Sequence, residues 1–216
     1  MKTLFLTLVS LMVFNAHAGI VIGGTRFVYP QAAESITVDV KNTAATNYLV
    51  QTKISQRGDK EVFIATPPLM VVNGGHAAKI RLIRTGGDLP ADRESLFYLT
   101  IAALPAGKPD ANSLQIAVKS QMKLFYRPEG LQEGAAAAWK QLQWKTGAGH
   151  AEFSNPTAYY VTLSHLTLNG QTEPESHVLA PFSHTVIDGC PSSGPCQARW
   201  KILNDAGQVI TPDLHL

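Results

Sequence analysis

The stretch from Leu114 to Pro128 constrains the fold more than any other, because it reads as one long β-strand with a single apolar side. Its first half alternates Leu114, Ile116 and Val118 with polar or small residues, and a period of two is typical of a strand. Its second half places aromatic residues around two cations and ends at a proline. A central strand would bury the apolar row in its own domain, whereas an edge strand with such a row invites aggregation. The row is therefore either core or an edge that is kept apolar for a partner.

Short alternating segments with turn residues between them precede this stretch. Residues 20–30 read as a first strand with a turn at its end, and the next segment places Ile36, Val38 and Val40 on an inward face. About seven such strands before Pro128, without a long helical period, predict an immunoglobulin-like β-sandwich.

Past the long strand the composition changes, and a short linker with Gly and Glu leads into a second region. Residues 135–144 predict a short helix, and short strands follow, among them 159–163 and 166–170. We therefore predict an all-β chain of two immunoglobulin-like β-sandwich domains at an angle with an interdomain cleft between them. Their expected bounds are 19–130 and 131–216.

The first 18 residues read as a secretory signal peptide. Met1-Lys2 carries charge, residues 4–14 are largely apolar, and Ala16-His17-Ala18 has the small-x-small pattern of a cleavage site. We predict that residues 1–18 are removed and that the mature chain starts at Gly19. No later apolar run approaches the length of a membrane span, so we expect an exported chain without membrane insertion.

Charge and motifs disfavour two broad function classes. One of the 18 basic side chains leaves with the signal peptide, so charge is almost balanced against 16 acidic side chains, whereas a nucleic-acid binder usually has a strong basic excess. The histidines lack metal-ligand spacing, the serines lack a nucleophile elbow, and the glycine pairs lack a phosphate-loop pattern. We expect no enzyme activity, no metal site, no cofactor and no nucleic-acid partner.

The only cysteines are Cys190 and Cys196. An even pair in an exported chain favours a disulfide, and so short a ring would contribute roughly 2–2.5 kcal/mol. The alternative is a metal-binding pair, which the lack of a histidine at ligand spacing disfavours.

Three cations lie in apolar surroundings, namely Arg26, Lys123 and Arg127. Charges in such surroundings are rarely buried without a partner, so each either reaches water from a strand face or is neutralised. Glu94 and Asp205 are candidate partners of Arg127. Arg26 and Lys123 have no obvious partner nearby in sequence, which leaves room for an external anion.

Strand alternation separates Lys123 from the apolar row. Counting by two places Lys123 on the face opposite Leu114, Ile116 and Val118. At about 3.3 Å per residue it also lies roughly 30 Å from Leu114. The row and the cation are therefore distinct features of one strand, unless a β-bulge resets the register.

Several segments together resemble the periplasmic chaperones of chaperone–usher pilus assembly, the PapD-like family. The resemblance covers essentially the whole mature chain and is most specific where RESLFY and KLFYRP occur together. The matching segments are Thr25–Tyr29, Asp92–Leu99, Leu114–Pro128, Ser154–Leu163 and Leu203–Gly207.

The resemblance implies roles for the cations and the apolar row. Arg26 and Lys123 correspond to cleft cations that bind the C-terminal carboxylate of a pilus subunit. Leu114, Ile116 and Val118 correspond to the apolar row that fills the groove of an incomplete immunoglobulin-like subunit, which is donor-strand complementation.

The resemblance also implies an internal charged triad of Glu94, Arg127 and Asp205 that ties the two domains together. The short connection between Pro105 and Leu114 resembles the short-loop subclass, which typically serves rod-like pili.

The expected function is that of a periplasmic chaperone that binds, folds and caps pilus subunits and delivers them to an outer-membrane usher. An exposed apolar edge also leads us to expect a self-capping homodimer when no subunit is bound. The main alternative is a secreted fimbrial or adhesive structural subunit, and a further one is a secreted hydrolase or metal-dependent enzyme on a sandwich scaffold.

Overall fold

The computed structural model describes residues 19–55, 62–107, 115–147 and 149–212. The expected signal peptide and Leu114 lie outside the described residues. The regular secondary structure of the described residues is mainly β-strand, and the strands form two sandwiches, as predicted, each with its own buried apolar core.

The first sandwich packs a four-stranded sheet, in the order β1-β3-β7-β5, against a five-stranded sheet in the order β2-β9-β8-β4-β6. Its core holds residues that alternate along the strands, such as Val38 and Val40 at 0% exposure. The strands are β1 (Ile20–Ile22), β2 (Arg26–Pro30), β3 (Ile36–Asn42), β4 (Tyr48–Ser55), β5 (Phe63–Thr66), β6 (Leu69–Val72), β7 (Ala77–Arg84), β8 (Ser95–Pro105) and β9 (Val118–Arg127).

Two of the sheet changes in this sandwich interrupt segments that read as single strands in the sequence. The predicted first strand over 20–30 is in fact two strands, because β1 pairs with β3 while β2 joins β9 in the other sheet. Gly23 at this crossing lies close to β3, where an added Cβ would meet Asp39 Cβ at 3.3 Å. A second crossing at Pro67-Pro68 separates β5 from β6. If each crossing pair counts as one strand, the nine strands observed reduce to the seven expected.

The second sandwich starts with a 3-10 helix at Ala135–Gln141, which is shorter than the predicted helix because β10 begins at Gln143. Its sheets have the orders β10-β11-β15 and β13-β12-β16-β17, with β14 on β12. The two strands predicted over 159–163 and 166–170 form one strand, with a bulge between Ser164 and Thr167. The strands are β10 (Gln143–Gly147), β11 (His150–Asn155), β12 (Val161–Leu168), β13 (Gln171–Thr172), β14 (His177–Leu179), β15 (Ser183–Asp188), β16 (Ala198–Leu203) and β17 (Val209–Ile210).

The predicted disulfide is present in the second sandwich. Cys190 and Cys196 are bonded, with their Cα atoms 5.5 Å apart. Cys196 packs into the core of this domain, so the bond ties the loop before β16 to the core.

Candidate functional site

The outer edge of β9 is only half covered. Strand β8 pairs with all of β9 from Val118 to Arg127, whereas β2 pairs with it, in parallel, only from Lys123 onwards. The five residues from Val118 to Met122 therefore have a neighbouring strand on one side alone among the described residues. A strand with an open edge is a template for pairing with another chain.

The backbone alternation identifies which groups face this open edge. The Lys123 N–H donates to the Thr25 carbonyl at 3.2 Å, on the β2 side. Because successive residues of a strand point their N–H and C=O groups to opposite sides, Lys119 and Gln121 point theirs to the same side as Lys123. Beyond the end of β2 these groups are available to an added strand.

The pairing of β8 and β9 runs without a register shift, so the side-chain faces of β9 stay constant along its length. Val118 therefore lies on the same face as Met122 and Leu124, which are buried in the core. Val118 itself is 54% exposed and Ile116 is 62% exposed. Val118 thus continues the core face to the start of β9, where nothing in the described part of the chain covers it.

Arg26 and Lys123 occupy paired positions on the neighbouring strands β2 and β9. This register places two cations side by side on the face opposite the core. Arg26 is 8% exposed, and its Nη1 donates a hydrogen bond of 2.8 Å to Thr162 Oγ1 in the second sandwich. Its guanidinium also lies over the Phe125 ring, 4.8 Å from the centroid. Burial lowers the pKa of Arg26, against the opposing charges of Asp205 and Glu94.

Lys123 is half-buried and makes no side-chain hydrogen bond or ion pair with any described residue. Burial lowers the pKa of Lys123, and the neighbouring Arg26 charge lowers it further. Two like charges that share a partly dry site favour an incoming anion, since a carboxylate would form charge-assisted hydrogen bonds with both.

The third cation, Arg127, is paired within the molecule. Its Nε donates to Glu94 Oε1 at 2.7 Å, and its Nη2 contacts Asp205 Oδ2 of the second sandwich at 2.8 Å. Glu94 Oε2 accepts a further hydrogen bond of 2.8 Å from the Tyr160 N–H. Glu94 and Arg127 thus meet groups from both domains at one junction.

Burial and the neighbouring charges shift the pKa values of Glu94 and Arg127 in opposite directions. Burial raises the pKa of Glu94, although Arg127 and the Tyr160 N–H favour its charged form. For Arg127 burial acts to lower the pKa, but the carboxylates of Glu94 and Asp205 outweigh it and raise the value. The buried Glu94 carboxylate therefore depends on Arg127 and the Tyr160 N–H to remain charged.

Three residues at this site were not identified from the sequence. Thr162 and Tyr160 come from the second domain, and Phe125 supplies the ring between Arg26 and Tyr160, with the two ring centroids 5.7 Å apart. Thr162 has one sequence signal, because it is a hydroxyl residue between Val161 and Leu163 in a strand that is buried on both faces.

No group of three or more His, Cys, Asp or Glu side chains among the described residues is placed to hold a metal ion. The one helix in the described ranges falls short of the length and apolarity that a membrane crossing needs.

The comparisons with known proteins assign this pair of immunoglobulin-like sandwiches to a family. Residues 19–132 match the family model described as the pili and flagellar-assembly chaperone, PapD N-terminal domain, and residues 137–214 match the pili assembly chaperone PapD, C-terminal domain. The chain therefore belongs to the PapD-like family of pilus-assembly chaperones, which is a non-enzymatic family.

Relatives and solved structures agree with this assignment. The uncharacterized fimbrial chaperone YcbF of Escherichia coli (strain K12) is 36% identical over 214 residues, covering 94% of this chain and 91% of that protein. The crystal structure of the E. coli chaperone DraB is 30% identical with a TM-score of 0.74, over 89% of this chain and 93% of that one. The SafB chaperone of Salmonella enterica, solved in complex with the SafA pilin, gives 26% identity and a TM-score of 0.78 over 88% and 92%.

Proposed function

We propose that this chain is a periplasmic chaperone that binds, folds and caps pilus subunits by donor-strand complementation and delivers them to an outer-membrane usher. The observation that carries the proposal is the open edge of β9, which begins where β2 ends at the cation pair. A subunit strand added there would continue the line of β2 and bring its carboxyl end to Arg26 and Lys123. Export to the periplasm would follow from the signal peptide.

The cation pair would hold the C-terminal carboxylate of the subunit. Arg26 and Lys123 lie side by side, and Lys123 has no partner among the described residues. Charge-assisted hydrogen bonds to a carboxylate are roughly twice as strong as neutral ones. Loss of one cation is expected to cost about 2–5 kcal/mol of binding, as for other desolvated charge pairs.

The apolar row would fill the groove of the subunit. Ile116 and Val118 are exposed in the free chain, and Leu114, outside the described residues, is the third proposed member. Each such side chain is worth roughly 1.5–3 kcal/mol when fully buried, before ordering costs. Main-chain pairing along Lys119 and Gln121 would add affinity without depending on subunit sequence.

The triad of Glu94, Arg127 and Asp205 would hold the two domains, proposed as 19–130 and 131–216, at a fixed angle. This support comes from the contacts of Arg127 to carboxylates of both sandwiches. A fixed angle would keep the cleft open around the cation pair.

Release would need no nucleotide, because one donor strand can be replaced by a better-fitting strand from the next subunit at the usher. When no subunit is present, a second copy of the chain is the proposed cover for the open edge, giving a self-capping homodimer.

Co-purification from the periplasm tests the proposal. The full chain is expressed with an affinity tag, and small proteins that bind it are identified by mass spectrometry. We expect Arg26→Ala and Lys123→Ala to remain folded and soluble but to lose the subunit. Lys41→Ala, an exposed cation on β3, serves as the control and should keep it. Normal subunit recovery with both cleft variants would contradict the proposal.

The apolar row has a matched control within the chain. Val118 and Val71 are both 54% exposed, but Val71 lies on β6, away from the open edge. We expect Val118→Asp to reduce subunit recovery strongly and Val71→Asp to leave it unchanged. Equal losses from both variants would show that the row has no special role.

A further inference from the structure

The second domain holds one member of the cation pair. Thr162 on β12 is fully buried, and its Oγ1 accepts the 2.8 Å hydrogen bond from Arg26 Nη1. Arg26 belongs to the first sandwich, 136 positions earlier in the chain. A hydrogen bond to a charged group is stronger than a neutral one and restricts the guanidinium to one orientation.

This bond leaves one edge of the guanidinium unused. Arg26 Nε is buried and has no hydrogen-bond partner, and Nη2 makes no hydrogen bond within the part of the chain that is described. Nε and Nη2 together form an edge of the planar fork that grips a carboxylate with two parallel hydrogen bonds. A buried donor without a partner is costly unless a ligand satisfies it.

An aromatic ring also restricts the Arg26 guanidinium. Phe125 lies against one face of Arg26, with Cζ 4.8 Å from the ring centroid, and Tyr160 of the second domain packs on Phe125. The ring contact limits movement of the guanidinium over Phe125, and the bond to Thr162 limits its rotation. The two contacts together restrict where the free Nε–Nη2 edge can point.

We propose that Thr162 is a positioning residue of the carboxylate site, because its hydroxyl turns Arg26 so that the Nε–Nη2 edge meets the ligand next to Lys123. This rests on the proposed function, in which a subunit carboxylate is that ligand. The cleft site is then made by both domains, and its geometry depends on the interdomain arrangement that Arg127 joins.

Three variants distinguish the effect of the Thr162 hydroxyl from the effect of changing the packing around it. Thr162→Val keeps the shape of the side chain and removes the acceptor, whereas Thr162→Ser keeps the acceptor. Ser164→Ala is the matched control, because Ser164 is a hydroxyl on the same strand, 3% exposed, whose Oγ has no hydrogen-bond partner. Both Val and Ala variants remove a buried hydroxyl, but only one removes a contact to Arg26.

The first measurement uses a synthetic peptide of alternating valine and serine, long enough to pair with the open residues of β9. It is prepared with a free C-terminal carboxylate and, separately, with a C-terminal amide. We expect Thr162→Val to bind the carboxylate peptide roughly 10-fold more weakly and the amide peptide within about twofold of wild type. Thr162→Ser and Ser164→Ala should match wild type for both peptides.

The second measurement needs no ligand. Restricted rotation of the Arg26 guanidinium is followed by NMR of its side-chain N–H groups in the full chain. Thr162→Val should release this rotation, while Thr162→Ser and Ser164→Ala should preserve it.

The outcomes separate this proposal from the proposed function. If the wild type does not distinguish carboxylate from amide, and Arg26→Ala changes neither affinity, the carboxylate site itself is wrong. If the wild type distinguishes them but Thr162→Val weakens both peptides equally or neither, the positioning role is overturned. Unchanged Arg26 rotation in Thr162→Val would overturn it as well.

Discussion

Arg127 of the first sandwich and Asp205 of the second form a 2.8 Å ion pair whose members differ in exposure, with side chains 7% and 47% exposed. The other partner of Arg127, Glu94, is only 2% exposed and adds a hydrogen bond from the Tyr160 N–H. The junction therefore has one buried carboxylate and one that water screens.

The two carboxylates should contribute unequally to stability. Removing a buried ion-pair partner costs about 3–5 kcal/mol, so we expect Glu94→Ala to destabilise the chain strongly. Asp205→Ala should cost at most about 1 kcal/mol, as at exposed pairs. Urea unfolding followed by circular dichroism measures both, and equal losses would contradict this division. All three tryptophans lie in the second domain, so their fluorescence isolates that domain's transition.

The charge of Lys123 should destabilise the folded protein when no subunit is bound. Burial and the Arg26 charge lower the pKa of Lys123, so the folded state binds its proton less tightly than the unfolded state. The resulting loss of folding free energy is largest below the lowered pKa of the folded state. It disappears as the pH rises towards 10.5, the ordinary lysine value, because the side chain then loses its proton in both states. We expect Lys123→Met to raise the free energy of unfolding at neutral pH by at most about 1 kcal/mol, because water screens part of this half-buried charge, while abolishing subunit binding.

The control for this prediction is Lys119→Met on the same strand, where the exposed side chain should leave stability within about 0.5 kcal/mol of wild type. Unfolding midpoints are compared at neutral and at alkaline pH. An advantage of Lys123→Met that does not shrink as pH rises would contradict the titration argument.

Local patterns predicted much of this architecture. Alternation predicted the inward-facing Val38 and Val40 of β3, and the cysteine pair predicted the disulfide. The strand predicted from Leu114 was too long, because β9 begins only at Val118 and Ile116 precedes it. The two cations were identifiable because charges among apolar residues need an explanation. Their adjacency was not, because it depends on the parallel register of β2 on β9, a non-local pairing that no segment encodes alone.

Other features depend on contacts between distant segments. The predicted first strand is interrupted because β1 pairs with β3 and β2 pairs with β9, in different sheets. The alternation of apolar and polar residues is the same in both sheets, so it did not predict the interruption. Thr162 enters the site only because the second domain packs against Arg26, so the sequence around it can indicate a buried hydroxyl but not its partner.

Proline substitutions at neighbouring positions should distinguish the two edges of β9. The Lys119 N–H faces the open edge, whereas the Ser120 N–H faces β8, where Ser120 pairs with Ile101. Lys119→Pro should fold with near-native stability but lose subunit binding, because it removes a donor that the partner would use. Ser120→Pro should cost at least about 1–3 kcal/mol through a lost ladder bond. Thermal unfolding and co-purification measure the two effects, and subunit binding by Lys119→Pro at wild-type strength would contradict main-chain pairing.

Gly207 allows the close contact between the Asp205 turn and the first domain. Its φ is +77°, and an added Cβ would lie 2.8 Å from Thr25 Oγ1. Gly194 also has a positive φ, +92°, but its Cβ would meet nothing within 4 Å. Gly194→Ala should therefore show only the backbone cost of about 1–2 kcal/mol, whereas Gly207→Ala should lose more because Thr25 or the turn must move.

A double-mutant cycle isolates that extra loss. In the Gly207→Ala background, Thr25→Ala removes the obstructing hydroxyl and should restore stability to the level of the Gly194→Ala control, as measured by urea unfolding. Purely additive effects of Gly207→Ala and Thr25→Ala would mean that the turn does not press on the first domain. Coupling between them would instead show that the Asp205 turn lies directly against Thr25, next to Arg26.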